Sequence, residues 1–128
     1  MIYLDTSVAL AHLLAEDRHP MDTLWARPLV SSRLLQVECW VRLNARGLGA
    51  SHGEALRSLL GRVAFIELSP QVLARTHEPF PIPLRTLDAL HLASAELLRS
   101  LGQQVTMASY DDRLLTAAVA MGIPAEPL

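Results

Sequence analysis

The stretch Met1-Ile2-Tyr3-Leu4-Asp5-Thr6-Ser7 decides how the chain is read, because a short apolar run ends there in a carboxylate. Ile2, Tyr3 and Leu4 suit a strand buried in a parallel sheet. Val8, Ala9, Leu10, Leu13 and Leu14 then recur at helical spacing, so Asp5-Thr6-Ser7 is predicted to be a strand-to-helix turn. In an open parallel sheet the ligand crevice lies beyond the carboxyl ends of the strands, where strand order reverses. Asp, Thr and Ser are also favoured helix N-caps, so the turn by itself leaves capping and chemistry both open.

Working outward, the pattern repeats. Leu29-Val30-Ser31 is a second strand, with Ser31 or Ser32 capping a helix over 34–46 that Gly47 closes. On that helix Leu34, Val37, Val41 and Ala45 form an apolar stripe that contains Glu38. Ser51 and Glu54 match a capping box for the next helix. Val63 to Leu68 is a third strand, and Ser69-Pro70 opens a short helix. Pro79, Pro81 and Pro83 enforce a loop, after which Thr86 caps a long helix over 87–101, with Leu87, Leu90, Ser94, Leu97, Leu98 and Leu101 facing inward. Val105 to Ala108 is a fourth strand, Ser109-Tyr110-Asp111-Asp112 opens the last helix, and the tail supplies at most a short edge strand. Strands alternating with helices predict an α/β fold, a parallel sheet of four to five strands covered on both faces, in one domain over residues 1–128.

Composition narrows the chemistry. All 11 basic residues are arginine, which excludes reactions that need a lysine, such as Schiff-base formation or a phosphate-binding P-loop. A formal net charge of −2 gives no global attraction to nucleic acid, so any such binding must be local. The single cysteine, Cys39, has no partner for a disulfide or a metal site. The sequence shows no signal-peptide pattern and no membrane span, which predicts a cytoplasmic protein without membrane contact.

Asp5, Glu38, Asp88 and Asp111 each stand just past a strand or in the first part of a helix, which brings them toward one sheet edge. Two unit charges about 4 Å apart repel by about 4 kcal/mol at an effective dielectric of 20, so such a group requires a cation or raised pKa values. Oxygen ligands without cysteine or clustered histidine select Mg²⁺ or Mn²⁺. Taken singly, each acid also has a structural explanation. Asp88 and Asp111 sit in helix first turns, where the macrodipole contributes about 0.3–1 kcal/mol. Asp112 matches the N3 partner of a Ser109 cap, and Glu38 precedes Arg42 at ion-pair spacing. Their joint placement favours the metal site.

The chain also resembles the PIN-domain family and, within it, the VapC toxins. Ile2-Tyr3-Leu4-Asp5-Thr6-Ser7, Ser32 with Val37-Glu38, Arg85-Thr86-Leu87-Asp88-Ala89-Leu90-His91-Leu92-Ala93 and Ser109-Tyr110-Asp111-Asp112-Arg113-Leu114 carry the resemblance. It implies a three-layer α/β/α domain in which Asp5, Glu38, Asp88 and Asp111 are the catalytic and metal-binding acids, supported by Thr6, Ser7 and Ser109. Asp111 is favoured over Asp112 as the last acid. It further implies Mg²⁺-dependent endonucleolytic cleavage of RNA, a small VapB-like antitoxin partner and a homodimer. A nuclease for RNA maturation or structured nucleic acid, and a non-catalytic binding module, are the competing readings. Arg42, Arg46, Arg85 and Arg113 lie on elements leading to the acidic edge and suit phosphate. Of the histidines only His91, one turn after Asp88, falls near the crevice, and its default reading is a partly buried helix residue.

Overall fold

A computed structural model describes residues 1–128. Four short strands form one parallel sheet: β1 (Ile2–Leu4), β2 (Leu29–Ser32), β3 (Val63–Ile66) and β4 (Thr106–Ala108), in the spatial order β3-β2-β1-β4. Ile2 faces Leu29 on one side and Thr106 on the other, so β1 is central. The tail adds a single parallel bridge between Met107 and Ala125, the residue of the expected edge strand. Because order reverses at β1 and β4, their carboxyl ends, Asp5 and Ser109, bound the predicted crevice.

Side chains alternate across the pleat and define two cores. Ile2, Leu4, Leu29 and Ala108 pack under α1 (Thr6–Leu13), α2 (Arg33–Ala45) and α3 (Gly49–Leu60). Tyr3, Val30 and Met107 pack under α5 (Thr86–Ser100) and α6 (Asp112–Ala120), with the short α4 (Pro70–Arg75) beside α5. The result is the expected three-layer α/β/α sandwich. No helix is long and apolar enough to cross a membrane.

Several local expectations are corrected. The buried stripe of α2 is Leu35, Cys39 and Leu43, at steps of four, while Val37 and Val41 are exposed. Both stripes are apolar in sequence, and only the first meets the sheet and α3. Glu38 therefore sits at the margin of the buried face rather than within it. The helix after Gly47 begins at Gly49, and Ser51 donates back to the Leu48 carbonyl, so no Ser51–Glu54 capping box forms. In α5 the buried residues are His91, Leu92, Ala93, Ser94 and Ala95, whereas Leu87 and Leu101 are exposed. A helix enclosed all round at its middle does not display its buried face as one periodic stripe. The last helix is capped by Asp111, not Ser109.

Candidate active site

Ser32 accepts from the N–H of Leu34 to start α2, and Asp111 accepts from those of Arg113 and Leu114 to start α6. These caps, with the β1–α1 turn and the first turn of α5, bring four acids to one cleft of about 460 Å³. Asp5, Glu38, Asp88 and Asp111 all line it, together with Thr6, Ser7, Arg42, Arg85, Thr86 and two apolar residues, Leu10 and Leu87. Ser109 stands immediately beneath, 3% exposed. Asp112 is exposed on α6 and does not line the cleft, so of the doubled acids only Asp111 reaches it. Of the arginines proposed from sequence, Arg42 and Arg85 reach the cleft, while Arg113 donates to the Pro83 carbonyl at 3.3 Å.

The acids are held in different ways. Asp5 is 4% exposed. Its Oδ2 accepts from Ser7 Oγ at 2.7 Å and from Ser109 Oγ at 2.8 Å, and Ser109 Oγ accepts in turn from the Asp111 N–H at 2.9 Å. Glu38 Oε1 accepts from Thr6 Oγ1 at 2.8 Å and meets His91 Nε2 at 2.7 Å. No Glu38–Arg42 ion pair forms; the partner of Glu38 is His91, on another helix. In each case one carboxylate oxygen is tied and the other is left to the cleft, since neither Asp5 Oδ1 nor Glu38 Oε2 is a sealed, unpartnered atom. Asp111 repeats the pattern, with Oδ1 spent on the cap.

Asp88 differs. Nothing in the protein donates to its carboxylate, and burial, then the Asp111 and Asp5 charges, push its pKa up to about 6; His91 opposes and Glu38 adds. Loss of hydration and like charges both disfavour the ionised form, which a nearby cation would favour.

The donor set fits a hard divalent ion. It is all oxygen, and Cys39, fully buried in the core with its thiol pushed up to about 12 by burial, takes no part. No three His, Cys, Asp or Glu side chains are arranged to cage an ion directly. Mg²⁺ does not require that, because it keeps several waters and is held through one or two carboxylates plus substrate phosphates.

His91 is the site residue that sequence reasoning undervalued: it is 1% exposed and bonded to Glu38. Its only sequence signal is the spacing from Asp88. Trp25 is buried against His12.

Comparison with known proteins agrees with this architecture. Residues 2–119 match the family model of the PIN domain. The chain is 34% identical to ribonuclease VapC46 of Mycobacterium tuberculosis over 126 residues, covering 95% of this chain and 93% of that one. It is 33% identical to ribonuclease VapC35 of the same species over 129 residues, at 96% and 93% coverage. For ribonuclease VapC47 the figures are 32% over 130 residues, at 95% and 93%. No solved structure matches it significantly. With its central parallel sheet, its acids at the switch point and these full-length similarities, the chain belongs to the PIN-domain family, alongside the VapC ribonucleases.

Proposed function

We propose that the protein is an endoribonuclease toxin that uses Mg²⁺ or Mn²⁺ held by Asp5, Glu38, Asp88 and Asp111 to cut RNA in the cytoplasm. The observation that carries this reading is the convergence of four carboxylates from four elements in one open cleft, each with an oxygen unclaimed by the protein. An ion bound there supplies charge neutralisation at phosphoryl oxygens and a more acidic water. The chain's own residues do the rest. Arg42 and Arg85 flank the acids and offer planar donors to the phosphates on either side of the scissile bond. Ser7, Ser109, Thr6 and His91 keep Asp5 and Glu38 in place before substrate arrives, so less ordering remains for the bound complex.

The same reading carries a homodimer and a small antitoxin that covers the cleft. Val37 and Val41, exposed on α2 next to Glu38 and Arg42, are apolar surface that the single chain leaves uncovered.

The test is cleavage of a panel of tRNA, rRNA and messenger fragments by purified protein in Mg²⁺ or Mn²⁺, with EDTA and with Asp5→Asn and Asp88→Asn as controls, circular dichroism verifying the fold. Metal-dependent cuts lost in both variants are expected. A folded wild type that never cuts, or cuts equally in EDTA, defeats the proposal and leaves a binding module.

A further inference from the structure

A polar chain crosses the core from the sheet to the cleft. Tyr3 is fully buried on the α5 face of β1, where its hydroxyl accepts from the Ser32 N–H at 3.1 Å and lies 2.8 Å from His91 Nδ1. The two rings meet edge to face with centroids 5.7 Å apart, so packing as well as hydrogen bonding sets the imidazole plane. On the far side of that ring, Nε2 lies 2.7 Å from Glu38 Oε1.

Counting hydrogens gives the chain a direction. Glu38 Oε1 already accepts from Thr6 and takes its second hydrogen from His91, so that hydrogen sits on Nε2. With the hydrogen on Nε2 alone, Nδ1 is an acceptor, and the Tyr3 hydroxyl, already accepting from Ser32, has its own hydrogen to donate there. Burial raises the phenol's pKa, so that proton stays in place. With Thr6 Oγ1 also donating to Glu38 Oε1, that oxygen is saturated, and Oε2 is the one the cleft receives.

From this geometry we propose that Tyr3 and His91 are a positioning pair: they fix one tautomer and one ring plane so that Glu38 is held through Oε1 and presents Oε2 to the ion and the RNA. The inference rests on the ribonuclease reading, in which Glu38 belongs to the acid site. The pair touches neither substrate nor ion. It acts as partners behind metal-binding groups generally act, and losing such a partner costs about 10–100-fold in metal affinity or activity.

The experiment compares the full chain with Tyr3→Phe, His91→Gln and His91→Leu. In long-range ¹H–¹⁵N spectra His91 of the wild type is expected as a single Nε2–H tautomer, and Tyr3→Phe is expected to give a mixture. Calorimetric Mn²⁺ affinity without RNA is expected to fall about tenfold or more in His91→Leu and less in His91→Gln, whose amide can still donate to Glu38. RNA cleavage should follow the same order, through kcat with KM unchanged. An Nδ1–H tautomer in the wild type, or equal Mn²⁺ affinity in His91→Leu and the wild type, overturns the proposal. Tyr3→Phe keeps the volume of the core and decides the matter if His91→Leu fails to fold. Should the wild type cut no RNA, the ribonuclease reading falls, whereas the tautomer still decides whether the pair is built as described.

Discussion

Two walls of the same cleft are built on opposite terms. On one, Asp5 is buried and Glu38 partly so, and each has one oxygen saturated by two side-chain partners. On the other, Asp88 is half-buried, receives no donor, and faces Asp111 and Asp5. On the first wall one oxygen of each acid is satisfied within the folded chain. The second holds an acid without a donor, which under the proposed function a cation would neutralise, so stability and function pull in different directions at Asp88.

The largest effect that can break this comparison is at Asp5. Asp5→Asn replaces an acceptor-only oxygen between two hydroxyl donors and removes a charge the ion requires. RNA cleavage should fall by more than about a hundredfold, measured as single-turnover rate in Mg²⁺. Retained activity would remove Asp5 from the site.

Next comes the scaffold of that wall. Ser109→Ala deletes one donor to Asp5 and the acceptor for the Asp111 N–H. Thermal unfolding should show a loss of about 1–3 kcal/mol, and cleavage should fall about tenfold. A variant as stable and active as the wild type would show that Ser7 alone suffices.

Asp88 should behave in the opposite sense. Its folded-state pKa of about 6 lies above the unfolded value of 3.8, so the native state holds a proton that the unfolded chain has already lost. Stability of the metal-free protein therefore falls as pH rises from about 4 through about 6. Discounted for the solvent that reaches this side chain, the penalty at neutral pH is about 1 kcal/mol, a few degrees in Tm. In EDTA at pH 7.5, Asp88→Asn should melt higher than the wild type, the gap closing at pH 4 and also on adding Mn²⁺ to the wild type. An inactive variant that is no more stable at pH 7.5 would contradict the strained wall.

The smallest effect separates neighbours. Asp112→Asn, exposed on the first turn of α6 outside the cleft, should leave cleavage unchanged and shift stability in thermal unfolding by no more than about 0.5 kcal/mol.

What was legible in the sequence follows the same division. Strand β1 and its terminal acid were readable because an apolar run stops at Asp5, a local pattern. The parallel sheet followed from alternating strands and helices. The buried face of α2 was not readable, since Val37 and Val41 are as apolar as Cys39 and Leu43 and only the neighbours in space choose between them. His91 was recognisable by its spacing but not by its role, because its partners lie 88 residues away at Tyr3 and 53 away at Glu38. Which of Asp111 and Asp112 faces the cleft depends on where α6 begins, and its cap lies two residues beyond Ser109.

The central claim, that the cleft's acids are completed by a hard divalent ion, is tested most directly by calorimetric titration of Mn²⁺ into metal-stripped protein at pH 7.5. Saturable binding is expected for the wild type, weakened in folded Asp5→Asn and Asp88→Asn and untouched in Asp112→Asn. No saturable binding, or binding equal in all four proteins, would contradict it.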